Sequence, residues 1–167
     1  RSILAVQRVL NRVGIDKPLW DTEVNYGDQR LGLPRVVPDS RSGATYVART
    51  YLDAATLGVA RTYWYGWDLN VLGVDLTEGS RITPAGRAFE TVRDWLTGAR
   101  PAGCVTASGL RQCGFTAEDG SPFTVVWATY SDIALKTKGH RVCRLDGTCK
   151  RDRITTIDEQ PVLLKGL

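Results

Sequence analysis

From Ile3 to Val13 apolar residues recur at helical spacing. Ile3, Leu4, Val6, Val9, Leu10 and Val13 fall on one stripe, and Gly14 follows as a stop. The period then shortens. Pro18 to Glu23 reads as a short buried strand, and residues 24 to 41 read as a long polar loop. That loop ends in Pro38-Asp39-Ser40, a helix-start signal. Residues 42 to 57 place Tyr46, Val47, Thr50, Tyr51, Ala54 and Leu57 on one helical face, with Gly58 after it. Val59 to Tyr65 reads as a second strand, followed by another long loop. Thr83 then caps a helix with Pro84 in its first position. Ala88, Val92, Trp95 and Leu96 form the buried stripe of that helix, and Gly98 ends it.

The order is helix, strand, helix, strand, helix. Strands joined through helices run parallel, and such units build an open doubly wound sheet or a barrel. Two strands cannot close a sheet, so residues 1–100 are expected to be an incomplete domain. The chain has no methionine and opens directly on helical sequence. The expectation is therefore an internal or C-terminal piece of a longer protein.

Near Arg100-Pro101 the pattern changes to short apolar segments. Val105, Leu110, Phe115, the run Phe123 to Trp127, Val142, Ile154, Ile157 and Val162-Leu163-Leu164 are separated by turn signals. Those turns are Ser108-Gly109, Asp119-Gly120-Ser121, Lys138-Gly139 and Asp146-Gly147. Residues 101–167 are expected to form a small antiparallel β-sandwich. The predicted fold class is α/β for residues 1–100 plus all-β for the remainder.

The chain has 167 residues, 43% hydrophobic and 24% charged, a globular composition. No apolar run approaches the length of a membrane span. The net charge of +4 is spread out. The densest basic cluster, Lys150-Arg151-Asp152-Arg153, includes an acid and reads as a solvated face rather than a nucleic-acid surface. All cysteines come late: Cys104, Cys113, Cys143 and Cys149. Four cysteines allow three pairings. Cys104–Cys113 and Cys143–Cys149 are favoured because each pair flanks a hairpin signal. Zinc is a weak alternative, since no C-x-x-C occurs and His140 stands alone. No metal and no cofactor are expected. Disulfides point to a secreted or extracytoplasmic parent protein.

The candidate chemistry lies in two runs. Lys17-Pro18-Leu19-Trp20-Asp21-Thr22-Glu23 ends in a carboxylate and breaks into the loop Val24-Asn25-Tyr26-Gly27. Val59-Ala60-Arg61-Thr62-Tyr63-Trp64-Tyr65-Gly66-Trp67-Asp68 repeats that design with aromatics at the mouth. A carboxylate on one strand end beside indole rings on the next suggests a site for sugar.

Residues 1 to about 100 resemble the last quarter of a clan-A retaining glycoside hydrolase, a (β/α)8 barrel. Trp20-Asp21-Thr22-Glu23 sits where that clan carries its nucleophile at the end of the seventh strand. Tyr63-Trp64-Tyr65-Gly66-Trp67 matches the aromatic eighth strand. Thr83-Pro84-Ala85-Gly86-Arg87-Ala88-Phe89, ending in Trp95-Leu96-Thr97-Gly98, matches the closing helix. Many members add a β-sandwich straight after that helix. The resemblance implies the end of a TIM barrel, strands 7 and 8 with their helices, followed by a β-sandwich accessory domain.

A retaining glycosidase uses one carboxylate as nucleophile and another as acid/base, roughly 5–5.5 Å apart. The resemblance makes Glu23 the nucleophile. The clan's Asn-Glu acid/base pair has no counterpart here, so this piece alone is expected to be inactive. Trp64 and Trp67 are candidate sugar platforms, and Tyr26, Asn25 and Asp68 are candidate polar contacts to an oligo- or polysaccharide. Trp20 precedes Glu23 by an odd number of positions, so strict alternation turns it away into packing. Trp95 and Trp127 read as core, and Asp119-Gly120-Ser121 as a turn rather than a calcium loop. An alternative reading is a non-catalytic carbohydrate-binding or cell-wall protein on the same scaffold. A nucleotide-binding fragment is disfavoured, because neither strand leads into G-x-G-x-x-G.

Overall fold

Helix boundaries follow local chemistry. The computed structural model describes residues 2–28, 36–69 and 71–166. Helix α1 (Ser2–Arg12) is followed by strand β1 (Trp20–Val24), helix α2 (Ser40–Thr56) and strand β2 (Arg61–Trp64). The Asp39 carboxylate accepts from the Arg41 and Ser42 amides, both at 2.9 Å, and so satisfies two orphan donors of α2. Those bonds hold its pKa below the usual carboxylate value. Of the loop expected over 24 to 41, residues 29–35 lie outside the described part.

The loop after β2 contains a small hairpin that the sequence pattern did not reveal, β3 (Thr77–Glu78) and β4 (Arg81–Ile82). Helix α3 (Pro84–Leu96) follows, with the Thr83 hydroxyl accepting from the Gly86 amide at 3.0 Å. Gly14, Gly58 and Gly98 all take positive φ just past their helices, as glycine alone does without strain.

From Arg100 onward the chain is β: β5 (Arg100–Ala107), β6 (Leu110–Thr116), β7 (Pro122–Ala128), β8 (Ile133–Lys136), β9 (Arg141–Cys143), β10 (Cys149–Arg151), β11 (Ile154–Ile157) and β12 (Val162–Lys165). Six of these form one antiparallel sheet in the order β10-β9-β12-β7-β6-β5, and β11 pairs with β8 in a second. Cys104 and Cys113 face each other across β5 and β6, and Cys143 and Cys149 across β9 and β10. Both pairs are disulfide-bonded, with Cα atoms 4.1 Å apart in each.

Helices α2 and α3 lie in the middle of the molecule. Ala44, Ala48 and Leu52 of α2 and Ala88 and Val92 of α3 pack on Phe115, Phe123, Val125 and Trp127 of the six-stranded sheet. The other side of α2 presents Val47 to Val74, Leu76 and Ala85, with Tyr51, Trp64 and Phe89 around them. Small residues on two sides let α2 sit between these layers. Each fully buried Leu or Val contributes roughly 1.5–3 kcal/mol. The main core therefore crosses the Arg100-Pro101 junction. On the far face of the sheet, Leu110, Val126, Val142 and Val162 pack with Ile157 of β11.

Trp127 is buried between Arg49 and Arg111, whose guanidinium carbons lie 5.8 and 5.7 Å from its ring centre. Helix α1 departs from its sequence pattern. Ile3, Gln7 and Leu10 are half-buried, whereas Leu4, Val6, Val9 and Val13 are exposed.

Candidate active site

Strands β1 and β2 are parallel neighbours, as the helix–strand order requires. Trp20 matches Arg61, Asp21 matches Thr62 and Val24 matches Trp64. Three steps along β1 thus span two along β2, so a bulge lies between Asp21 and Val24. The bulge resets the alternation. Asp21, Val24 and Tyr26 turn toward α2 and line a cavity with Tyr46, Thr50 and Asp53. Glu23 and Tyr63, each one position before the Val24–Trp64 match, point to the opposite face.

That opposite face carries Trp20, Glu23, Arg61, Tyr63 and Tyr65, all exposed. The Arg61 guanidinium lies over the Trp20 ring at 4.5 Å, and its Nη1 donates to the Tyr63 hydroxyl at 3.3 Å. Glu23 stands at the carboxyl end of β1 with no side-chain partner among the described residues. The face joins an exposed carboxylate to aromatic rings, a phenol and a guanidinium. Such a set can stack on a sugar ring, bond its hydroxyls and attack an electrophilic carbon. Asp21, the neighbouring acid, is on the far side of the sheet.

Several residues expected at the sugar are used otherwise. Trp64 belongs to the helix-facing side: it packs beside Tyr51 and Phe89, and its indole N–H donates to the Val74 carbonyl at 3.1 Å. The parity of β2 gives the reason, because Thr62 and Trp64 share a face and Arg61, Tyr63 and Tyr65 share the other. Beneath Trp64, burial pushes the Tyr51 hydroxyl up to about 12. Tyr26 likewise turns to α2, where its hydroxyl meets Thr50 Oγ1 at 2.9 Å and its ring lies 4.9 Å from Tyr46.

Asn25 is a clamp. Its Nδ2 donates to the carbonyls of Tyr65 at 2.6 Å and Val74 at 2.8 Å. Its Oδ1 accepts from the amides of Tyr26 at 2.6 Å and Val74 at 3.2 Å. Both strand ends are thereby tied to the second loop. Close by, Gly27 and Gly73 cross so tightly that a Cβ on Gly73 would lie 2.4 Å from the Tyr26 carbonyl oxygen. Asp68 accepts from the Gly79 amide at 2.9 Å and closes the hairpin loop. Trp67 stays 56% exposed, its ring edge-on to Phe89 at 5.6 Å.

Trp20 was expected to face away from Glu23. The bulge puts both on one face and leaves Trp20 47% exposed. Period-two alternation sets Tyr63 and Tyr65 on the face opposite Trp64, and the resemblance assigns the sugar to Trp64, whereas the exposed face is that of Arg61, Tyr63 and Tyr65. The signal was there in their shared parity, which made the polar side of β2 the open one. Among the described residues no three metal-ligating side chains gather, and no helix is long and apolar enough to cross a membrane.

No protein-family model matches the chain, and no curated protein matches it. Its fold is similar to that of a family 39 glycoside hydrolase from the gut symbiont Bacteroides cellulosilyticus WH2. The TM-score is 0.68 at 17% identity, over 91% of this chain and 34% of that one. A hypothetical maltooligosyl trehalose synthase from Sulfolobus tokodaii aligns at TM-score 0.48 and 15% identity, over 77% of this chain and 21% of that one. The chain thus spans about a third of the length of the family 39 protein, and what the likeness shows is a shared mixed α/β fold.

Proposed function

We propose that this chain is the C-terminal part of a retaining glycoside hydrolase that cleaves an oligo- or polysaccharide. In this reading β1 and β2 are the seventh and eighth strands of a (β/α)8 barrel. Residues 1–100 end the catalytic domain, and 101–167 form a β-sandwich accessory domain. The observation that carries the reading is Glu23, an exposed carboxylate at the carboxyl end of a parallel strand, on the side away from the helices. The fold likeness to a glycoside hydrolase and the order of the sequence motifs support it. The two disulfides support an exported parent.

A Glu23 carboxylate oxygen attacks the anomeric carbon as the glycosidic C–O bond breaks. The leaving oxygen takes a proton from a second carboxylic acid. Water then hydrolyses the glycosyl ester and regenerates Glu23. Asp21 cannot supply the acid, since it lies across the sheet, so the acid belongs to a part of the parent outside these 167 residues. Trp20, Tyr63, Tyr65 and Trp67 wall the sugar. Asn25, Asp68, Trp64 and Tyr26 hold the walls in place.

In the full-length parent, Glu23→Gln should abolish turnover while leaving the melting temperature nearly unchanged. A 2-deoxy-2-fluoro glycoside should label Glu23 covalently, read by peptide mass. Near-normal turnover of the variant, or a label on another carboxylate, removes Glu23 from the mechanism. A parent that binds the glycan without cleaving it would instead be the non-catalytic binding protein.

A further inference from the structure

The end of α3 and the six-stranded sheet flank an open cavity of about 640 Å³ that shares no lining residue with the β1–β2 face. Trp95 and Phe123 give it aromatic walls, and the Cys143–Cys149 disulfide lies at its side. Arg141 and Lys165 line the sheet side. Arg141 stands directly opposite Arg151 on β10 and directly opposite Lys165 on β12. Three cations thus lie in register across three adjacent strands. Like charges directly opposite one another destabilise a sheet.

The nearby acids do little to relieve this row. Asp94 is paired with Arg93 at 2.8 Å. Asp119 accepts from the Ser121 amide at 2.8 Å and its hydroxyl at 2.5 Å, and reaches Lys165 only at 3.9 Å. Among the described residues no carboxylate pairs with Arg141 or Arg151.

We infer that this cavity is a second glycan site, specific for an acidic sugar. The carboxylate of a uronic acid residue sits against Arg141 and Lys165, where charge-assisted bonds neutralise the row. The sugar ring lies along Trp95. Its hydroxyls donate to Glu118 and Asp94, both of which line the cavity. A compact anion such as phosphate has nothing to gain from those two acids, and a neutral sugar leaves the cation row uncompensated. The cavity volume suits a short oligosaccharide. This site is independent of the role proposed for Glu23.

Titration calorimetry on the 167-residue chain tests the inference with four probes: a tri-uronate, a neutral trisaccharide, inorganic phosphate and a short oligothymidylate. The tri-uronate should saturate with a millimolar or lower Kd that weakens with added salt. Arg141→Gln and Lys165→Gln should each weaken it by about tenfold, whereas Lys138→Gln, a cation outside the cavity, should not. Arg141→Gln should also raise the melting temperature by about 1–3 °C, because it removes the middle charge of the row. Should Arg141→Gln fail to fold, Lys165→Gln alone decides. The inference falls if the tri-uronate does not saturate. It falls equally if phosphate, the neutral sugar or the oligonucleotide binds as well, or if the cavity variants bind like Lys138→Gln.

Discussion

Replacing Asn25 tests how the mouth of the β1–β2 pair is held. Its amide uses its full capacity, two N–H donors and two acceptor lone pairs. Asn25→Ala removes all four bonds. The Tyr26 amide and the Tyr65 carbonyl belong to exposed residues and regain water. Each such loss costs about 0.5–1.5 kcal/mol. Val74 is buried. Its carbonyl keeps the Trp64 indole, but its amide is left without a partner, at about 1–3 kcal/mol. The total is roughly 3 kcal/mol, or a melting point lower by roughly 6–12 °C for a chain of this size.

Urea unfolding followed by tryptophan fluorescence measures it, with the midpoint falling at unchanged slope. Asn25→Asp adds a sign. The introduced carboxylate would face the Tyr65 and Val74 carbonyls, which raises its folded pKa above the unfolded value. The stability it retains is therefore present below the unfolded pKa and lost as pH rises through the folded one. That variant should come nearest to wild type below about pH 4 and be weakest near neutrality. Asn25 is not a clamp if Asn25→Ala lies within about 0.5 kcal/mol of wild type, a change ordinary for an uninvolved surface position. A carboxyl variant that tracks wild type across pH refutes the clamp as well.

Three further outcomes test neighbouring features. Gly73→Ala forces a Cβ to 2.4 Å from the Tyr26 carbonyl oxygen and 2.7 Å from Gly27 Cα. It should destabilise by about 2–4 kcal/mol in the same urea assay, since backbone rather than a flexible side chain must move. The disulfides close loops of sequence separation 9 and 6, so each contributes about 2–3 kcal/mol in the chain-entropy model. Reduction should lower the melting temperature, and non-reducing peptide maps should find Cys104–Cys113 and Cys143–Cys149; any crossed pairing contradicts the hairpin assignment. The Asp39 carboxylate has a depressed folded pKa, mainly through the Ser42 bonds. Its contribution is present above the unfolded pKa and lost as pH falls through the folded one. The stability gap between wild type and Asp39→Ala should therefore close as the solution is acidified below about pH 4; a gap unchanged at low pH rules out the charged cap.

What the sequence made legible divides by the range of the interaction that decides it. Asp39, Thr83, Pro84 and the glycines after each helix act within one turn of backbone, so their chemistry can be read where they stand. The parallel pairing of β1 and β2 follows from the helix between them, another short-range constraint. The faces of the strands are set differently. One extra residue between Asp21 and Val24 inverts the parity, so Trp20 joins Glu23 instead of opposing it. Nothing in the run Trp20 to Val24 marks that bulge, since it exists only against the register of β2. Trp64 shows the same limit in reverse. A tryptophan beside a carboxylate-bearing strand end reads as a sugar platform, yet what fixes its place is the cluster of Val47, Val74, Leu76 and Ala85 and the Val74 carbonyl that takes its indole N–H, groups from two helices and a loop distant in sequence. Asn25 reads as a polar loop residue next to a carboxylate, and it is Val74, forty-nine positions away, that turns it into a clamp. The division at Arg100 fares likewise. The change from helical to strand period is real at that point, but Ala48, Leu52 and Val92 close over Phe115 and Val125 from the other side of it. A boundary in sequence pattern is thus not a boundary in packing. The face that bears Glu23 takes its geometry from contacts that meet only once the chain has folded.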